Sequence, residues 1–375
     1  MTKADDILHR LLDYLELRID LDHVDRLTTR HRAAMNFEEI DRPPLVCYLP
    51  YEGDAFKPYP LSEIFDDPAK MMVNELLAGF TSIYHAVDLM DDAPYCLRPN
   101  LGVTIIASML GAQIRVMEEQ PPWVLPLDNA SAIRRIVDGP IPSTTEGLAP
   151  RVLEQYDYYK MVLAGYPKCQ AAFQLTLPDL QGPFDIVELL WGPDAFMAFY
   201  TEPELLEALL ERITATILVA YRRFGAEVSE NIGEGFQFQH ATAVKGRILL
   251  RSDTTIMISP EHYQRFILPH DATIGQALGS VAIHFCGNGQ HQLQNMLSTP
   301  NLSSLDLGQP WLMDMDTMYT LASAAKVGLV RLTLPDEQMT AEQLARRFPT
   351  GASFVYYAKT VAEARQRWQH YIGDS

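Results

Sequence analysis

The sequence predicts an α/β fold, a (β/α)8 barrel behind an N-terminal helical extension, and three observations carry that prediction. Apolar runs of strand length recur along the chain, helix-patterned stretches separate them, and several of those helices open on a recognisable start signal. Such alternation argues for a parallel sheet, since consecutive parallel strands need a crossover that a helix supplies.

Residues 1–36 place Ile7, Leu11, Leu12, Leu15 and Leu17 at helical spacing among charges, which predicts an amphipathic helix or two ahead of the main fold. Residues 37–375 read as one barrel domain. After Asp41-Arg42-Pro43-Pro44, the run Leu45-Val46-Cys47-Tyr48-Leu49, stopped by Pro50, suits a buried first strand. Further strands are expected at Gln113 to Met117, Ala171 to Leu177, Arg247 to Leu250, Val281 to Phe285, Ser303 to Leu307, Val327 to Leu332 and Ser353 to Tyr357. That makes roughly eight, the number a closed barrel needs. Ser259-Pro260-Glu261 and Thr201-Glu202-Pro203-Glu204 mark helix starts, with proline at the first helical position. The stretch from Leu125 to Pro150, rich in Pro, Ser, Gly and Thr, is the expected long surface connection.

A chain of 375 residues with 47% hydrophobic content can bury one large core. Its formal charge of −18 repels phosphate polyanions and no basic stripe interrupts it, so nucleic-acid binding is not expected. No run is apolar for the ~18 residues of a membrane span, and the charged N-terminus lacks a secretory pattern. Four widely spaced cysteines, Cys47, Cys96, Cys169 and Cys286, fit free thiols in a reducing, cytoplasmic compartment.

The segment Val281-Ala282-Ile283-His284-Phe285-Cys286-Gly287-Asn288-Gly289 is an apolar strand running into a glycine turn. A period of two puts His284 and Cys286 on one face, where imidazole nitrogen and thiolate sulfur are favoured zinc donors. The alternative is a buried thiol beside a hydrogen-bonded histidine. Asp306 ends the next strand and is a candidate third donor, or else a turn acid ahead of Gly308 and Pro310. His240 and Asp253 fall near other expected strand ends, where they would line the same cavity or serve a structural role. Asp91 and Asp92, with Asp88, form a cluster that suits general acid and base work, or a solvated loop. The glycines at 287 and 289 make no phosphate loop, and no dinucleotide fingerprint is present.

Several separate stretches resemble the uroporphyrinogen decarboxylase superfamily. They are Arg30-His31-Arg32-Ala33-Ala34-Met35 running to Asp41-Arg42-Pro43-Pro44; Leu110-Gly111-Ala112-Gln113-Ile114; Leu180-Gln181-Gly182-Pro183-Phe184-Asp185; Tyr200-Thr201-Glu202-Pro203-Glu204-Leu205; and Ile258-Ser259-Pro260-Glu261-His262-Tyr263. The resemblance spans about residues 30–335 and implies a (β/α)8 barrel. Where true decarboxylases carry an arginine-containing segment after the first strand, this chain has Cys47-Tyr48-Leu49-Pro50-Tyr51-Glu52, so the resemblance favours the zinc- and corrinoid-dependent methyltransferase branch. His284-x-Cys286-Gly287 is similar to that branch's zinc motif, with Asp306 at the place of an acidic ligand. The chain departs from the pattern in having no cysteine after Cys286, and His240 is a candidate for the unfilled position.

By resemblance the expected protein is a zinc methyltransferase that passes a methyl group between a corrinoid, carried on a partner protein, and a small thiol. Two alternatives stand beside it. One is a metal-independent decarboxylase or lyase acting on a non-porphyrin substrate, with Asp91 or Asp92 as acid and base and a cation-lined cavity; the other is a non-catalytic barrel that binds metal or cobamide.

Overall fold

The computed structural model describes residues 2–127, 129–228 and 235–373. Its strands in chain order are β1 (Leu45–Tyr48), β2 (Cys96–Leu97), β3 (Gln113–Arg115), β4 (Trp123–Leu125), β5 (Gln174–Leu175), β6 (Phe236–Gln239), β7 (Thr242–Lys245), β8 (Leu249–Arg251), β9 (Val281–Phe285), β10 (Leu302–Leu307), β11 (Gly328–Thr333) and β12 (Ala352–Tyr357). Six of them form one parallel sheet in the order β1-β12-β11-β10-β9-β8, so the first strand lies beside the last. The α/β class follows directly. Every residue of β9 is buried, as in a parallel sheet covered on both faces.

Register brings chemistry into a row. Arg251 on β8 stands opposite His284 on β9, which stands opposite Asp306 on β10. One step back, Leu249 and Ala282 stay apolar and pack with Val330, Met35 and Val244 in a small inner core. The sheet's inner face is thus greasy toward the strand starts and polar toward their ends.

A hairpin occupies that inner face. β6 and β7 pair antiparallel and are buried almost throughout, and β7 lies against β9, β10 and β11. It is tied in by side chains: Ser304 Oγ donates to the Lys245 carbonyl at 2.7 Å, and the hairpin's own Gln239 Nε2 donates to the Leu177 carbonyl at 2.9 Å. The tip, His240-Ala241, is carried to the strand ends.

Two helices open the chain. α1 (Lys3–Arg18) starts at a capping box made by Thr2 and Asp5, and buries Leu8, Leu11, Leu12 and Leu15 on the stripe the sequence marks, while Leu17 faces solvent. α2 (Leu21–Met35) begins at the Asp20 cap and packs on β7 and β12. Ser259 caps the helix at Pro260–His262 as expected, but Thr201 ends the preceding helix and leaves the start of Pro203–Phe224 to the proline.

Besides the β6–β7 hairpin, the strands differ from the expected ones in three further places. Gln113 to Met117 forms β3, yet it pairs antiparallel with β4 in a separate hairpin; its exposed alternate residues belong to a surface ribbon, not a buried parallel strand. The run from Ala171 is helical to Ala172, and only β5 is extended, paired in parallel with β2. β2 itself was not expected, because two residues flanked by Pro94 and Pro99 show no apolar run. Single links flank this small pair: Asp92 N–H donates to the Leu45 carbonyl at 3.3 Å, and Gln181 bridges Arg251 in parallel. Within the expected long connection, Ala130–Asp138 is a helix capped by Asn129. Among the described residues, no helix is long and apolar enough to cross a membrane.

Candidate metal centre

β9 ends by presenting His284 and Cys286 to the same side, with Cys286 Sγ 3.5 Å from His284 Nε2. The third group is Asp253, whose carboxylate oxygen lies 3.6 Å from the same nitrogen and accepts the Cys286 backbone N–H at 2.6 Å. A tetrahedral ion with bonds of ~2.0–2.3 Å keeps its donors about 3.3–3.6 Å apart, so the histidine spacings match that geometry before any ion binds. The Asp253 side chain is 45% exposed, leaving an outer side open.

Glycines make the room. A Cβ on Gly308 would stand 2.5 Å from Cys286 Sγ and 3.2 Å from His284 Cε1. Gly287, at φ +83°, lets the chain turn away after Cys286, and its N–H donates to Gln309 Oε1 at 2.7 Å.

Behind His284 lies a buried polar relay. Its Nδ1 sits 3.0 Å from the Asp306 carbonyl oxygen, 3.1 Å from the Asp306 carboxylate and 3.0 Å from Arg331 Nη2. Arg331 Nε donates to the other Asp306 oxygen. His240 Nδ1 is 2.7 Å from Asp306 Oδ2, while its Nε2 faces Arg251 Nη2 at 3.0 Å. Arg251 also meets Asp179 at 2.5 Å, and Asp179 is gripped from its other side by Arg98 at 2.7 Å. Each buried charge therefore touches its opposite, which is the condition for tolerating charge in an interior.

Burial alone would raise the Asp306 acid, but Arg331 and the two imidazoles outweigh it and hold its pKa well below the usual carboxylate range. Asp179 is likewise driven down against its own burial by Arg251 and Arg98. Burial and the Arg331 charge push His240 well below the usual imidazole value, so it is neutral at pH 7. Burial and the neighbouring Asp253 carboxylate push the Cys286 thiol up to about 12. Without a cation that sulfur is protonated.

Two residues sit in unusual backbone. His240 and Ala241, both at φ 52°, form the two-residue turn between β6 and β7, a place that favours Asn-Gly. The Tyr48 hydroxyl donates to the His240 carbonyl at 2.6 Å and Phe80 packs on its ring, so the turn is held by its surroundings. Arg331, at φ 64°, lies where the β11–β12 register slips. This irregularity puts consecutive Val330 and Arg331 to work on the inner side: Val330 joins the inner core and Arg331 grips Asp306.

The expected site residues thus divide. Two trios bring donor atoms within 4.8 Å of one another: Asp253, His284 and Cys286, and His240, His284 and Asp306. In the second, both His240 nitrogens and both Asp306 oxygens already have protein partners, and the Arg331 and Arg251 guanidiniums flank the space. Asp306, expected as the third donor, stands behind His284, and His240, expected at the unfilled position, stands behind Asp306. Asp253 takes the place in front.

Asp91 and Asp92 are not brought to this centre. Asp92 accepts the N–H of Leu45, the first residue of β1, and is held by Arg30 and Arg42. Burial would raise its pKa, but those arginines bring it below the usual value, so it is no proton donor. Asp91 is buried with its oxygens accepting the backbone N–H groups of Cys47 and Ala93, and burial lifts its pKa to about 7. Its neighbours give it a strand-fixing job. Arg331 and Asp179 were missed by sequence reasoning. The signal for Arg331 was a lone arginine inside Gly328-Leu329-Val330-Arg331-Leu332-Thr333; Asp179 gave none.

Compared with known proteins, the chain matches no family model and no curated sequence.

Proposed function

We propose that the protein is a zinc-dependent methyltransferase built on a closed (β/α)8 barrel, transferring a methyl group between a corrinoid carried by a partner protein and a small thiol. The observation that carries the reading is the convergence of His284 Nε2, Cys286 Sγ and the Asp253 carboxylate where β9 ends. Barrel closure is supported by two single links, Asp92 ahead of β2 to Leu45 on β1 and Gln181 after β5 to Arg251 on β8, which set the β2–β5 pair between the two edges of the six-stranded sheet. In a parallel barrel the active site gathers at the strand ends, where these residues stand.

Nitrogen, sulfur and one carboxylate make a zinc donor set, with a fourth position open for substrate. Zinc held by His284, Cys286 and Asp253 would supply Lewis acidity, which would lower the pKa of a substrate thiol toward pH 7. The protein's own part is orientation and charge balance. Asp306 fixes the His284 ring by its far nitrogen, and Arg331 balances Asp306, so that Nε2 points outward. Exposed Trp311, past the end of β10, and Tyr357, the last residue of β12, are in edge contact and form an apolar rim on which a corrinoid-bearing partner would dock.

The test is elemental analysis of protein purified without added metal, together with thiol methylation from methylcobalamin. About one zinc per chain is expected, lost in Cys286→Ser and His284→Ala, with turnover that disappears on chelation and returns with zinc. Metal-free wild-type protein without turnover after zinc addition rejects the reading, and cobalamin binding with no methylation points to a binding barrel.

A further inference from the structure

Asp253 is the least secured of the three front residues, since its side chain is half-exposed and it begins a short 3-10 turn, Asp253–Met257, separated from β8 only by Ser252. Yet its carboxylate is aimed. The Cys286 N–H points at it from 2.6 Å, and His284 Nε2 lies 3.6 Å away. Something must fix the backbone from which it projects.

That support comes from another part of the chain. Asp185, in the first turn of the helix Pro183–Trp191, is only 5% exposed, and its two oxygens take three donors from the Asp253 turn. Oδ2 accepts the Asp253 N–H at 2.8 Å; Oδ1 accepts the Thr254 N–H at 3.1 Å and the Thr254 hydroxyl. The first N–H groups of a helical turn have no partner within it, so a carboxylate aimed at them caps the turn from outside. The two segments are also zipped just before this point. Gly182 N–H donates to the Arg251 carbonyl at 2.6 Å, and a Cβ on Gly182 would collide with Ser252 Oγ. The stretch from Gly182 to Asp185 is one the sequence marks, and nothing in the metal centre otherwise uses it.

We propose that Asp185 is a positioning residue which, by capping the Asp253–Thr254 turn, holds the Asp253 carboxylate against the Cys286 amide and in line with His284 Nε2, and so sets the third side of the metal site. The inference rests on the zinc reading for its consequence but not for its geometry. Asn at position 185 would set an amide N–H₂ against an N–H group and lose an acceptor, whereas the fold around it keeps its volume.

Two measurements test this on the full chain. In metal-free protein with chelator present, amide hydrogen exchange at Cys286 reports whether Asp253 still accepts its N–H; Asp185→Asn is expected to speed that exchange about tenfold or more. In titrations with Zn²⁺ or Co²⁺, the same variant is expected to bind about 10- to 100-fold more weakly, the usual cost of losing a group that orients a ligand. Its Co²⁺ spectrum should keep the sulfur charge-transfer band while the ligand-field bands shift. Thr254→Val removes only the hydroxyl contact and should move both readouts in the same direction by a few-fold, and Thr254→Ser should restore them; this pair carries the test if Asp185→Asn fails to fold. Asp271→Asn, at a buried acid elsewhere, should change neither.

Unchanged Cys286 exchange in folded Asp185→Asn, or in Thr254→Val if the first does not fold, overturns the proposal. Accelerated exchange in a chain whose wild type binds no metal upholds the positioning role and rejects the zinc reading.

Discussion

His284 and Asp306 face each other across a register pair of β9 and β10, and the aspartate holds the imidazole twice, by its carbonyl oxygen at 3.0 Å and its carboxylate at 3.1 Å from Nδ1. The ring cannot rotate without breaking both contacts, which leaves Nε2 directed at Cys286 and Asp253. Asp306 also neutralises Arg331, a guanidinium that is 5% exposed.

Asp306→Asn keeps the shape and removes the charge. A buried cation that loses its partner costs about 3–5 kcal/mol, so the variant is expected to lose that much unfolding free energy by urea denaturation. The pH dependence has a defined sign. The folded pKa of Asp306 lies far below its unfolded value, so its contribution is complete above pH ~4 and is lost as pH falls through the folded pKa. The variant should therefore show a shallower acid limb. A wild-type stability and acid limb in Asp306→Asn would mean that Arg331 does not depend on this carboxylate.

Gly308→Ala probes the front of the site by size alone. Position 308 has no left-handed backbone, so alanine's cost is the single Cβ set 2.5 Å from Cys286 Sγ. The sulfur must leave its present position, and the Cβ also crowds His284 Cε1 at 3.2 Å. The expected result is near wild-type thermal stability with metal affinity reduced by tenfold or more, read by competition with a chromophoric chelator. Unchanged affinity would show that Cys286 is not a ligand.

How much of this was legible in the sequence depends on where the signal lies. His284, Cys286 and Asp306 were readable because a period of two along apolar strands fixes which residues share a face, and register then aligns neighbouring strands. The division of labour among them was not. Whether a carboxylate stands in front of an imidazole or behind it depends on which nitrogen it reaches, and that is set by the sheet's curvature and the loop after β8. Arg331 escaped because strict alternation would turn it outward beside Leu329, and only the register slip between β11 and β12 brings it in. The hairpin β6–β7 escaped because its turn is His-Ala and not Asn-Gly; tertiary contacts from Tyr48, Arg251 and Asp306 hold a turn that local preference would not form. The short β2 gave no apolar run at all.

Asp92 separates structure from chemistry. Its carboxylate takes Arg30, Arg42 and the Leu45 N–H at the start of β1, with Arg42 stacked over Trp368. Asp92→Asn is expected to cost about 3–5 kcal/mol in unfolding free energy. Metal affinity and any turnover per folded molecule should stay at the wild-type level. A folded Asp92→Asn protein that binds metal normally yet loses turnover would return this residue to the catalytic list and favour the decarboxylase reading.

A buried acid away from the site yields the opposite pH sign. Asp271 is fully buried in the helix Leu268–Leu278, with one oxygen accepting the Tyr263 hydroxyl at 2.9 Å and the other without a partner. Burial lifts its pKa to about 7, more than the tyrosine bond lowers it. Between pH ~4 and about 7 the folded chain therefore keeps a proton that the unfolded chain has released. Its stabilisation is complete below pH ~4, declines by up to ~1.4 kcal/mol per pH unit through this window, and is gone above the folded pKa. The neighbouring His270, which burial lowers to about 4, acts the other way over much of the same range and partly masks the slope in the wild type. Comparing wild type with Asp271→Asn cancels His270 and every other group. The variant is expected to gain on the wild type steadily as pH rises from 4 to 7, measured as the difference in urea unfolding free energy at half-unit steps. A difference that stays constant across that range would show that Asp271 titrates alike in the folded and unfolded chains.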